Sequence, residues 1–106
     1  MKELQQEGVI CNKVEEAYQI IGKKWVCLII TSLMDVPRRF NEIHSIIPEL
    51  SKRMLTERLK ELEECEIILR KVITNRPVYA EYSLTNRGHD LGVALKGVES
   101  WAEKWL

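Results

Sequence analysis

A mainly helical α+β domain is what this sequence of 106 residues predicts, and three observations carry the prediction. Apolar residues recur at helical spacing through the first half and again at the C-terminus, two short β-branched runs lie between them, and one very tight turn joins two of the helical segments. The length suits one domain over residues 1–106 with a real core.

The elements follow in chain order. Asn12 and Glu15 have the spacing of a capping box, and Val14, Ala17, Tyr18 and Ile21 form an apolar stripe that Gly22 can end. The run WVCLIITSLM, residues 25–34, is apolar on nearly every side and stops at Asp35-Val36-Pro37, so it is expected to be the buried central helix. Phe40, Ile43, Ile46 and Ile47 mark a short third helix halted by Pro48. Only Glu49 and Leu50 then precede Ser51, a good N-cap for a fourth helix whose Leu55, Leu59 and Leu62 point one way. Two helices joined so tightly, over about 40–64, make a helix-turn-helix.

After Cys65 the pattern changes. IILRKVI (67–73), then the turn-like Thr74-Asn75-Arg76-Pro77, then VYAEYSL predict a β-hairpin over about 67–84 tipped by Arg76, with Val78, Ala80, Tyr82 and Leu84 on one face. Thr85 can cap a last helix over about 85–105. There Leu91, Leu95, Val98, Ala102 and Trp105 step by four and three residues, the seam of one helix meeting another, and Trp101 widens it. That much apolar surface calls for a partner helix. Helix-turn-helix followed by hairpin is the winged-helix plan, here with additional N- and C-terminal helices.

Charge gives little away at first, since sixteen cations balance sixteen acids. Its distribution is more informative: residues 23–53 hold six cations against three acids, and residues 1–22 hold two against four. The excess ends at Lys52 and Arg53, in the first turn of the fourth helix, where the helix dipole favours acids. Cations there are unfavourable alone and compensated by a polyanion, because a recognition helix presents its N-terminal turn to DNA. At 3.6 residues per turn Arg53, Glu57 and Lys60 fall opposite the leucines with Thr56 on the flank. Arg53 could read guanine, Glu57 accept from cytosine N4, and Thr56 meet a thymine methyl or a phosphate. The blander alternative is a solvated face with Arg53–Glu57 and Lys60–Glu64 pairs.

Blocks of sequence sharpen the choice. IIGKKW (20–25), PRRFNEI (37–43), SKRMLTERLKELE (51–63) and EYSLTNRG (81–88) together resemble the HxlR-type winged helix-turn-helix transcriptional regulators, across nearly the whole chain. The resemblance implies a homodimer on double-stranded DNA with a pseudo-palindromic operator, the SKRMLTERL helix in the major groove and the hairpin as wing. On this reading Ser51, Lys52, Arg53, Thr56, Glu57 and Lys60 face DNA, Arg38, Arg39, Lys24 and Arg76 are candidates for phosphate contacts, and Leu91, Leu95, Val98, Trp101, Ala102 and Trp105 form the dimer contact. Such proteins usually carry a glycine where the recognition helix turns into the hairpin; this chain has Glu64-Cys65-Glu66. A winged-helix module that binds protein instead of DNA is the alternative, and it would suit the neutral net charge.

The three cysteines, Cys11, Cys27 and Cys65, are too few and odd in number for a disulfide framework, which suits a reducing compartment. With no apolar span and a polar opening MKELQQEG, the sequence predicts a cytoplasmic protein without a membrane segment. Cys11 lies at the start of the first helix beside Lys13, a setting that favours the reactive thiolate, and the resemblance implies redox or electrophile sensing there; a small buried residue at the dimer contact is the other reading. Cys27, inside the central helix, is expected to be inert. His44 and His89 lack ligand spacing with the cysteines, and no CxxC, HExxH or Gly-rich phosphate loop occurs. No catalytic residue, cofactor or metal is therefore expected, and no effector can be named.

Overall fold

Five helices and three short strands make up the part of the chain that the computed structural model describes, residues 11–106. The opening MKELQQEG lies outside them. In order they are α1 (Asn12–Ile21), α2 (Val26–Ser32), β1 (Arg38–Arg39), α3 (Phe40–Ile46), α4 (Lys52–Glu64), β2 (Ile68–Ile73), β3 (Tyr79–Leu84) and α5 (Asn86–Trp105).

The core is aliphatic. Val26, Ile29, Ile30 and Leu33 of α2 and its end meet Ile43, Ile47 and Leu50 of α3 and the turn, Leu55, Leu59 and Leu62 of α4, Ile67 and Ile68 entering the sheet, and Leu95 of α5. Each such side chain contributes about 1.5–3 kcal/mol by leaving water, and together they make the helix-turn-helix a rigid platform. The Leu55–Leu59–Leu62 face of α4 is buried as the spacing predicts.

Several expectations are corrected. Helix α1 begins at Asn12, so Cys11 rather than Asn12 occupies the cap position, with no side-chain cap bond. The central helix is shorter than 25–34. It starts at Val26 because Trp25 adopts a left-handed φ of 82° that breaks the run, and Leu28 stays 53% exposed. Arg38 and Arg39, expected merely to precede α3, form a third strand against β3, with Arg38 opposite Tyr82 and Arg39 opposite Glu81. The sheet order is β1-β3-β2. Hairpin register pairs Ile68 with Leu84, Arg70 with Tyr82 and Val72 with Ala80, so Ala80, Tyr82 and Leu84 share a face as alternation predicts. The C-terminal seam also divides: Leu95 is buried and Leu91 half-buried in the protomer's own core, against the expectation that both face a partner.

Candidate nucleic-acid interface

The interface is built on α4. Ser51 holds extended backbone and its Oγ accepts from Met54 N–H at 3.1 Å, satisfying one of the orphan donors of the first turn. Thr56 Oγ1 donates to the Lys52 carbonyl at 2.9 Å. With the leucines inward, Lys52, Arg53, Thr56, Glu57 and Lys60 form an exposed row. The Arg53 side chain is 92% exposed, and its Nε lies 3.9 Å from Glu57 Oε1, the outer limit of an ion pair. A pair so open to water holds Arg53 weakly, leaving its guanidinium available to a partner. Lys60 and Glu64 form no ion pair among the described residues.

The back of α4 is anchored by a residue that sequence reasoning did not single out. Arg58 Nε donates to the Lys24 carbonyl at 3.0 Å and Nη1 to Glu61 Oε1 at 2.6 Å, while Lys23 pairs with Glu61 Oε2. The Lys23 ammonium, seconded by Arg58, holds the Glu61 carboxyl below its ordinary range against a smaller opposing effect of burial. The only available signal was the Arg58–Glu61 spacing of three; the Lys24 contact spans 34 residues. Lys24 thus contributes a backbone acceptor, and its own Nζ lies 4.9 Å from the centroid of the Trp25 ring.

The two arginines before α3 are held by the sheet. Arg38 is half-buried and its Nε donates to the Ser32 carbonyl at 2.6 Å, tying β1 to α2. The Arg39 guanidinium stacks 3.6 Å from the centroid of Tyr79, which pairs with Ile73 at the loop end of the wing, and its backbone N–H donates to Glu42 Oε1 at 2.7 Å. Arg76 is exposed in the hairpin loop. Strand β2 adds Arg70 and Lys71, both exposed and both missed as candidates because a charged pair within a β-branched run reads as a solvated strand edge.

On α5 the exposed apolar residues are Val98 at 62%, Trp101 at 57% and Trp105 at 65%, with Ala102 half-buried. Cys11 carries a free, half-buried thiol at the cap position of α1. Burial pushes the Cys27 thiol up, and its Sγ contacts the Ile21 carbonyl at 3.5 Å, in keeping with an inert residue. A cavity of about 420 Å³ opens between α1, the end of α4 and the first turn of α5, over Ile20, Val26 and Leu62, with Cys65 on its wall. No sequence pattern announced it. Among the described residues there is no cluster of His, Cys, Asp and Glu that could hold a metal ion, and no helix long and apolar enough to cross a membrane.

A cap-led helix with an exposed cationic first turn, set behind a short helix and followed by a hairpin, is a DNA-reading arrangement. Comparison with known proteins decides which kind, for residues 20–106 match the family model for HxlR-like helix-turn-helix proteins. The chain belongs to the HxlR-like helix-turn-helix family. It is 45% identical over 98 residues to the HTH-type transcriptional regulator YodB of Bacillus subtilis, covering 92% of this chain and 88% of that one. The structure superposes on reduced YodB with a TM-score of 0.82 at 44% identity, over 92% of this chain and 95% of that one, and on quinone-bound YodB with 0.79 at 43%, over 91% and all of it. The redox regulator HypR in its reduced form gives 0.82 at 36% identity, over 88% of this chain and 92% of that one. HxlR-type proteins are DNA-binding transcriptional regulators, not enzymes, and this chain is one of them. The protein-binding alternative is set aside.

Proposed function

We propose that this regulator works in the cytosol as a homodimer on a pseudo-palindromic operator, and that Cys11 makes its affinity responsive to oxidants or electrophiles. The observation that carries the DNA reading is the exposed row Lys52, Arg53, Thr56, Glu57 and Lys60 on the one α4 face that the core leaves free. Arg53, Thr56, Glu57 and Lys60 reach base edges in the major groove, and Ser51 and Lys52 meet the backbone with the first-turn N–H groups. Arg39 and Arg76 contact phosphates from the wing side, with Lys24 flanking; Arg38, committed to Ser32, holds β1 in place.

Dimerisation uses the outward half of α5, Val98, Trp101, Ala102 and Trp105, whose exposed indoles a second copy would cover. Half-sites then lie about one helical turn, ~34–36 Å, or a multiple apart. A free, half-buried Cys11 at the start of α1, in a chain similar to quinone-bound YodB and to the redox regulator HypR, supports the sensing role. Adduct formation or oxidation there alters α1 and so the affinity for DNA.

Fluorescence anisotropy of the reduced protein on duplex from upstream of its own gene tests this. The expected result is binding that survives unrelated competitor and falls on the order of 10³–10⁵-fold from 50 to 200 mM salt, lost after treatment with a quinone. A Cys11→Ser variant with an unchanged quinone response would reject the sensing role.

A further inference from the structure

The turn from α4 into the wing is gripped by the first turn of α5. Cys65 closes α4 and Glu66 follows with a left-handed φ of 61°. The Thr85 hydroxyl donates to the Glu66 carbonyl at 2.6 Å and lies 3.1 Å from that of Ile67. Its oxygen accepts from Gly88 N–H at 3.0 Å, and the Thr85 backbone N–H donates to the Ile67 carbonyl at 3.1 Å. Arg87 reaches Glu66 Oε2 at 3.4 Å. Gly88 is required by close approach, since a Cβ there would stand 2.0 Å from the Ile67 carbonyl oxygen. One turn on, Gly92 lies so close to α2 and the residues after it that a Cβ would meet Met34 Sδ at 2.2 Å and Ile30 Cγ2 at 3.3 Å. Beyond buried Leu95 every residue of α5 except half-buried Ala102 is exposed.

One end of α5 is thus locked to the backbone that joins recognition helix to wing, and the other end carries the exposed tryptophans. We infer that Thr85, seated by Gly88, is a positioning residue that fixes the angle between the recognition helix and the outward half of α5, and so the half-site spacing that the regulator accepts. The inference rests on the homodimer reading above. Leverage makes the angle matter: the ten residues of α5 beyond buried Leu95 run about 15 Å, so a tilt of about 15° moves the far end by about 4 Å, more than the ~3.4 Å rise of one base step.

The test begins with a duplex selected by the wild-type protein from a random pool. Affinities are then measured on one half-site, on two at the selected spacing, and on two offset by one or two base pairs, with sedimentation and circular dichroism for assembly and fold. Thr85→Val is expected to stay dimeric and bind one half-site within about twofold of wild type. It is expected to lose about tenfold or more on the selected spacing, where the two half-sites must be engaged together, and to stop rejecting the offset duplex; Thr85→Ser restores both. Equal losses on one and two half-sites would mean that Thr85 is a helix cap only, and retained spacing preference would equally overturn the role. Arg87→Ala, at an exposed side chain, gives a second reading should Thr85→Val not fold: a two- to threefold loss of spacing preference is expected, and an unchanged preference overturns the inference. A wild-type protein that sediments as a monomer, or binds one and two half-sites alike, overturns the homodimer reading and this inference together.

Discussion

The two halves of α5 share one apolar spacing and have opposite fates. Leu91, Gly92 and Leu95 pack onto α2 and the core, whereas Val98, Trp101 and Trp105 stand in solvent. Periodicity identifies the face of a helix that wants covering, but not what covers it. The glycines mark the division: at Gly88 and Gly92 a Cβ would collide with the body of the protein, and at Gly97 it would meet nothing within 4 Å. The inner half is therefore part of the fold and the outer half is exposed surface, which the proposed homodimer assigns to a second copy.

The sharpest way to break that contrast is to place one carboxylate in each half. Leu95→Glu buries a charge and forfeits a core leucine, about 4 kcal/mol or more, a large share of a small domain's stability; thermal unfolding is expected to show loss of the fold. Trp101→Glu should leave each protomer folded within about 0.5 kcal/mol and shift sedimentation from dimer to monomer. Next in size, Gly88→Ala must displace backbone and is expected to cost about 1–3 kcal/mol, while Gly97→Ala in the same helix should stabilise by about 1 kcal/mol through helix propensity. Denaturant midpoints of the two variants on either side of wild type would sharpen the division, and shifts of the same sign would break it.

Smaller effects belong to the joint and the anchor. Glu66 holds a left-handed conformation that costs a side chain about 1–2 kcal/mol, so Glu66→Gly is expected to raise the melting temperature by a few degrees even though the Arg87 contact is lost. Glu61 is smallest. Its folded carboxyl is held down by Lys23 and Arg58, so its contribution is present above the ordinary carboxylate value of 4.5 and is lost as pH falls through the lower folded value. After solvent screening that amounts to a few tenths of a kcal/mol, read as a slightly shallower acid limb of stability against pH in Glu61→Gln.

Much of the fold was legible because its signals are local: the Ser51 cap, the leucines of α4, the Pro48 stop and the alternation of Ala80, Tyr82 and Leu84. What was illegible depends on distant partners. A two-residue strand at Arg38–Arg39 has no periodicity and exists only through β3, and Arg58 becomes an anchor only where the chain brings Lys24 back to it. The left-handed conformation of Glu66 was illegible because glutamate carries no signal for a positive φ. The exposed row on α4 could be read in advance from the core face opposite it; the fixing of Arg38 to Ser32 could not.

Whether the outward face of α4 reads base sequence is decided by comparing wild type with Arg53→Ala on the wild-type selected duplex and on unrelated duplex at one salt concentration. A residue at a base edge is worth about 1–3 kcal/mol of discrimination, so affinity for the selected duplex is expected to fall about 5- to 150-fold, with little change on unrelated DNA. Equal losses on both duplexes, or none on either, would contradict base reading by that face.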